Sequence, residues 1–161
     1  MRSRRLASSF VLAFGLMTAL LGPASGQSDV PGQGTWRVNV ARSKLGPGPS
    51  PRSIISTVEP VGEHTRMTGV RVNADGQRLE ARFLAKIDGK DYPIKGSVNA
   101  ETVSLKWVDA RTIERIDKRA GKVVETSRTV YSEDGKTATT TGKGICARGE
   151  EFEFLAFNER Q

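Results

Sequence analysis

The sequence predicts an all-β domain, an up-and-down antiparallel β-barrel of about ten strands that follows an N-terminal signal peptide. Three observations predict it. Apolar and polar residues alternate with a period of two, turn motifs recur at short intervals, and no segment after the N-terminal region keeps a helical stripe over three turns. Side chains of a strand point to opposite faces in turn, so this alternation buries one face of a sheet.

The first 26 residues have the order of a secretory signal peptide. Three arginines stand among the first five residues, a mostly apolar run extends from Leu6 to Leu21, and small residues precede Gly26. The run is interrupted by Ser, Gly and Thr, and a membrane span needs about 20 apolar residues. We therefore expect cleavage near Gly26 and a periplasmic or secreted protein with no transmembrane span, a retained N-terminal anchor being the alternative.

Residues 27–161 are enough chain for a single domain. The formal net charge of the whole chain is +7, and removal of the three signal-peptide arginines lowers it to +4. No run of five like charges predicts a nucleic-acid-binding arm. Cys146 is the single cysteine, which excludes an internal disulfide, and we expect it to be a small, partly buried apolar residue.

The strands follow one another as a meander. Ten candidates begin near residues 34, 52, 65, 77, 91, 102, 111, 122, 136 and 150. Turn motifs with Asp-Gly pairs separate several of them, because Gly supplies the positive φ that tight hairpins require. The first and last strands are both amphipathic, and pairing them would close the sheet and remove its two exposed edges.

The first strand also carries a family resemblance. Gly34-Thr35-Trp36, followed by a β-meander, resembles the G-x-W opening of the calycins, which include the lipocalins and the intracellular fatty-acid-binding proteins. The resemblance implies that Trp36 closes one end of the barrel, near an arginine from the end of the chain, for which Arg160 is the candidate. The longer stretch "GTWRVNVARSKL", together with the Gly- and Pro-rich residues that follow it, is also similar to a class of small secreted bacterial proteins.

The chain departs from the fatty-acid-binding proteins in two respects. Their helical lid follows the first strand, but here the stretch 45–51 is rich in Gly and Pro and cannot form a helix. Their Arg-x-Tyr arrangement is missing from the last strand, where Phe152, Phe154 and Phe157 stand instead. We expect a Gly-Pro loop at the barrel rim and Trp36 as a plug, or else Trp36 as an ordinary core residue of a sandwich.

Catalytic chemistry finds little support in the sequence. His64 is the one histidine and has no second ligand or base beside it. Asp75, Asp88 and Asp134 each precede Gly, which turn geometry explains. There is no nucleophile elbow and no phosphate-binding loop. The sequence therefore predicts no enzyme, no catalytic residue, no metal site and no cofactor.

A basic hairpin is the one feature that favours nucleic acid. Its cations are Arg111, Arg115, Lys118, Arg119 and Lys122. Glu114 and Asp117 dilute the group, and few aromatic residues are near it for base stacking. We interpret it as a solvated hairpin and predict no nucleic-acid partner.

Two functional hypotheses follow. In the first, the barrel binds a small apolar or amphipathic molecule, as barrels of this strand number have room to do. The predicted interior residues are Trp36, Val38, Leu79, Phe83, Leu105, Trp107 and Phe154. Polar residues such as Ser56, Thr129 or Thr139 would suit a wet lumen. In the second hypothesis side chains fill the lumen, and the outer surface engages a partner in the cell envelope.

Overall fold

The computed structural model describes residues 31–146 and 148–161; the predicted signal peptide and its cleavage site lie outside them. The described residues form ten strands in a closed antiparallel barrel, which confirms the predicted fold. The strands are β1 (Gly34–Val38), β2 (Ser53–Val61), β3 (His64–Val72), β4 (Arg78–Ala85), β5 (Tyr92–Lys95), β6 (Thr102–Asp109), β7 (Thr112–Arg119), β8 (Lys122–Tyr131), β9 (Thr137–Ile145) and β10 (Glu151–Arg160). A 3₁₀ turn covers Val40–Arg42.

The barrel closes where the first strand pairs with the last one as well as with the second. In β1, Trp36 lies opposite Ser56 of β2 and opposite Arg160 of β10. Every other strand pairs with its neighbours in the chain, as short turns require. Within the described ranges, no helix is long and apolar enough to cross a membrane.

The number of residue pairs in a ladder differs around the barrel wall. The β9–β10 ladder contains nine residue pairs, whereas β5 forms two with β4 and two with β6. Pro93 contributes to this difference, because proline has no N–H to donate to a ladder. The wall is therefore least constrained by backbone hydrogen bonds around β5.

The up-and-down topology gives the barrel two distinct ends. We call one the tryptophan end: it contains the start of β1, the β2–β3, β4–β5, β6–β7 and β8–β9 turns, and the end of β10. We call the other the Gly-Pro end: it contains the β1–β2 loop with its Gly-Pro stretch and the remaining turns. The predicted Gly-Pro loop at the rim is thus present.

The packed core lies on one side of the interior. Phe83 and Ala85 of β4 are buried against Val103 and Leu105 of β6, with Met67 of β3 beside them. Ala85 is fully buried in this cluster. Neighbouring side chains therefore fill the space beside this small residue.

Candidate functional site

The barrel interior contains a cavity of about 560 Å³. This size lies within the range of pockets that enclose small molecules, about 300–1,000 Å³. Six of the seven predicted interior residues line it: Trp36, Val38, Phe83, Leu105, Trp107 and Phe154.

The seventh predicted residue, Leu79, does not line the cavity. It shares the inward parity of Phe83 but is the second residue of β4, at the Gly-Pro rim, where it lies opposite Arg71. Among the polar candidates, Ser56 and Thr129 line the cavity. Thr139 does not, because even-numbered residues of β9, such as Thr140, point inward.

Three aromatic rings span the lumen at the tryptophan end. The ring centroids of Trp36 and Tyr131 are 5.6 Å apart, and those of Tyr131 and Trp107 are 6.3 Å apart. Trp36 belongs to β1 and Trp107 to β6, which are five strands apart by either route around the barrel. Since adjacent strands are about 4.8 Å apart, these contacts must cross the interior. The rings therefore join opposite walls.

Backbone groups hold this aromatic cluster in place. Trp36 is 6% exposed, and its Nε1 donates a hydrogen bond of 2.9 Å to the carbonyl oxygen of Gly32. The hydroxyl of Tyr131 lies so close to Gly32 that a Cβ there would be 2.5 Å away. Burial raises the pKa of Tyr131 to about 12. Arg160 lies over Gly34, beside the strand position of Trp36.

Loops form the Gly-Pro end of the cavity. Leu45 and Pro47 of the β1–β2 loop and Val98 of the β5–β6 loop line it. Asn99 of the β5–β6 loop donates a hydrogen bond of 3.2 Å to the carbonyl oxygen of Ile145, at the end of β9. Because β5 and β9 are four strands apart, the β5–β6 loop reaches across this opening.

Two phenylalanines of β10 cover two glycines of β9. Phe154 lies opposite Gly142 and Phe152 lies opposite Gly144, and a Cβ at Gly144 would be 3.0 Å from the Phe152 ring. Phe152 also contacts Gly46 of the β1–β2 loop. The two rings therefore occupy space that side chains at Gly142 and Gly144 would otherwise take.

Charged side chains also line the interior. Arg115 and Asp117 of β7 form a two-pronged ion pair, with Nε–Oδ1 and Nη2–Oδ2 distances of 2.7 and 2.8 Å. The Arg115 guanidinium lies 5.4 Å from the centre of the Phe83 ring on β4. Burial lowers the pKa of Arg115, but the charge and hydrogen bonds of Asp117 raise it, and the net shift is upward. The pair is thus charged and internally satisfied.

Glu125 of β8 is the third charged group of this cluster. It lies directly opposite Asp117 and lines the cavity, and it accepts no hydrogen bond from the described residues. Burial raises its pKa, Arg115 lowers it, and Asp117 raises it further, so that the net shift is upward. We call Arg115, Asp117 and Glu125 the lumen triad.

The structure corrects the interpretation of the basic hairpin. Arg115 points into the lumen, and Lys118 pairs with Asp91 at 2.8 Å. Arg111 is at the tryptophan end, whereas Arg119 and Lys122 are at the Gly-Pro end. The five cations do not form one patch, because β7 and β8 extend along the whole barrel.

The other chemically reactive residues do not form a catalytic arrangement. The ring of His64 packs edge-on against Tyr92, with centroids 6.3 Å apart. Cys146 is half-buried at the Gly-Pro end of the cavity, and backbone hydrogen bonds from Arg148 and Glu150 lower its pKa. In residues 31–146 and 148–161, no group of three His, Cys, Asp or Glu side chains is placed to hold a metal ion.

The geometry defines a class of protein, a ten-stranded barrel with a partly open lumen. No protein-family model matches the chain, and no curated protein matches it. A ten-stranded barrel alone does not identify a calycin, so the resemblance through Gly34-Thr35-Trp36 stays a prediction.

Proposed function

We propose that this protein binds a small apolar or amphipathic molecule in the lumen of its barrel. The observation that carries the proposal is the cavity of about 560 Å³ between the aromatic rings of one end and the loops of the other. Its wall is mainly apolar with a few polar groups, which is the usual composition of small-molecule sites.

The energetics of such binding are adequate. Burial of apolar surface contributes roughly 25 cal/mol per Å². A ligand that buries about 500 Å² would gain roughly 12 kcal/mol, and an association cost of about 4 kcal/mol would leave about 8 kcal/mol, which corresponds to micromolar affinity. Trp107 and Phe154 line the cavity and are half-buried, so their rings offer part of this surface.

Displacement of an environment-sensitive apolar dye tests the proposal. Thr129→Trp would fill the cavity, because Thr129 lines it, and we expect this variant to lose dye binding. Thr139→Trp is the matched control: Thr139 is a threonine on the adjacent strand and does not line the cavity. Dye binding weaker than about 100 μM, roughly 5.5 kcal/mol, in the unmodified protein would refute the proposal.

The second candidate is an interaction protein of the cell envelope. Apolar side chains exposed at the Gly-Pro end favour it, notably Val98, which is 67% exposed, and Val123, which is 49% exposed. Its original premise, a lumen filled by side chains, does not agree with the cavity. This candidate would take first place if neither the dye nor a lipid extract bound.

We also propose that the protein is exported and acts by binding, without catalysis. The support for export is the residue order of the first 26 positions. N-terminal sequencing of the exported protein should begin at Gln27 or within a few residues of it. Recovery of the full-length chain fixed in the inner membrane would contradict export.

A further inference from the structure

The lumen triad places an uncompensated negative charge inside the candidate binding cavity. Asp117 neutralises Arg115 through two hydrogen bonds, and Glu125 then has no cation of its own. One positive and two negative charges leave the triad with a net charge of −1 when Glu125 is ionised. The backbone register fixes this arrangement, since Glu125 is the cross-strand neighbour of Asp117.

Within the lumen cavity, the described residues place no charge beside Glu125 other than Arg115 and Asp117. The outer groove that Glu125 also borders carries Lys44, Lys143, Glu151 and Glu153, and neither lysine forms an ion pair with Glu125. On β9 its opposite residue is Gly144, which has no side chain. The other interior cation, Arg71, belongs to β3, which is five strands from β8 by either route. Arg71 is also the second-last residue of β3, and its Nε donates to Asn73 at 2.8 Å. The ammonium group of a ligand would bring Glu125 a hydrogen-bond donor that residues 31–146 and 148–161 do not supply.

The position of Glu125 suits contact with a ligand head group. It borders both the lumen cavity and an outer groove of about 760 Å³, which share Pro47 and Phe152 as well. Glu125 and Tyr131 are six residues apart on β8, about 20 Å at roughly 3.3 Å per residue. An alkyl chain therefore has room to extend from Glu125 toward the aromatic rings.

We propose that the lumen selects amphiphiles that carry a basic amine over those that carry a carboxylate. This inference rests on the proposed function of the lumen. An ammonium group would donate to the Glu125 carboxylate and neutralise the triad, whereas a carboxylate would add a third negative charge beside two others. The ion pair with Asp117 leaves Arg115 with little positive charge to offer a carboxylate.

The test compares dodecylamine, dodecan-1-ol and dodecanoate at neutral pH, below their micellar concentrations. Quenching of Trp36 and Trp107 fluorescence and displacement of the apolar dye measure binding. We expect dodecylamine to bind about tenfold more tightly than dodecanoate, as a charge-assisted hydrogen bond implies. Glu125→Gln should remove this preference and keep the fold, because the two side chains have the same shape. Glu59→Gln, at an exposed site on β2 that borders neither the lumen cavity nor the outer groove, should retain it.

Three results from the unmodified protein and Glu125→Gln would overturn the amine preference. They are equal or tighter binding of dodecanoate, equal binding of dodecan-1-ol and dodecylamine, and an unchanged preference in Glu125→Gln. Loss of dodecanoate binding in Arg71→Gln would show that the opposite wall holds the head group, and would also overturn it. If the dye binds but none of the three amphiphiles does, this inference fails and the proposed function stands. If the dye does not bind either, the proposed function fails.

Discussion

The two ends of the barrel satisfy their interior side chains in opposite ways. At the tryptophan end, Trp36, Tyr131 and Trp107 contact one another across the lumen, and a backbone carbonyl accepts the N–H of Trp36. Toward the Gly-Pro end, the interior holds the lumen triad, in which Glu125 accepts no hydrogen bond from the described part of the chain.

The two arrangements have different energetic consequences. Aromatic burial stabilises the fold at roughly 25 cal/mol per Å² of apolar surface. Removing charges from water costs several kcal/mol per ion, and a salt bridge offsets this cost only when its geometry is good. We therefore expect the tryptophan end to contribute more to stability than the lumen triad does.

Removing the aromatic bridge should have the largest effect. Trp36→Ala should lower the free energy of unfolding by about 3–5 kcal/mol, because it deletes a buried ring that joins two walls. Trp107→Ala should cost less, since Trp107 is only half-buried. Urea denaturation measures both. A cost for Trp36→Ala below about 1 kcal/mol would show that the ring behaves as a surface residue.

Breaking the ion pair tests the charged end. Asp117→Asn should lower the free energy of unfolding by about 2 kcal/mol, because it removes the charge-assisted, two-pronged hydrogen bond to Arg115, while Glu125 still offsets part of the Arg115 charge. This value is below the usual cost for a buried pair, since the Arg115 side chain is 28% exposed and solvent screens part of its charge.

A double variant serves as the control for this experiment. Arg115→Met with Asp117→Leu removes both charges together, and we expect stability equal to that of the unmodified protein or higher. If the double variant is as unstable as Asp117→Asn, the pair contributes to folding, and the contrast between the two ends would not hold.

The glycines of the wall provide a smaller effect. A Cβ at Gly142 would lie 2.6 Å from the carbonyl oxygen of Thr126 and would collide with the Phe154 ring. Gly142→Ala should therefore cost about 1–3 kcal/mol. At Gly69 of β3 the nearest atoms would be 3.9 Å away, so Gly69→Ala should be neutral or stabilising by about 0.4–1 kcal/mol. Similar urea midpoints for the two variants would contradict this account.

The strands could be predicted because their information is local. Each predicted strand start lies within one residue of the observed one, since alternation and Asp-Gly turns act over a few neighbouring residues. The position of Trp36 at one end also follows from its place in the first strand. Its contact with Tyr131 could not be predicted, because it depends on which side chains cross the lumen.

The lumen triad could not be predicted, because the two strands that carry it lack a clear alternation. In β7, Ile113 points inward and Ile116 outward, so apolar residues do not identify the inner face. In β8 the register with β7 skips Val124, and this bulge changes which residues face inward. The adjacent valines before Glu125 therefore hide its inward orientation.

The smallest expected effect is a pH dependence that comes from Glu125. Burial raises its pKa, Arg115 opposes the shift and Asp117 adds to it, so the pKa in the folded state lies above the ordinary value of 4.5. Between these two pKa values the folded state binds more protons than the unfolded state, and the stability that this group contributes falls as pH rises.

Glu125→Gln cannot ionise. It should match the unmodified protein near pH 4 and exceed its stability at neutral pH, as urea midpoints across this range would measure. Shifts from the other carboxylates are common to both proteins and cancel in the difference. A difference that does not change with pH would mean that Glu125 is solvated like a surface carboxylate, and the chemical contrast between the two ends would then rest on the Arg115–Asp117 pair alone.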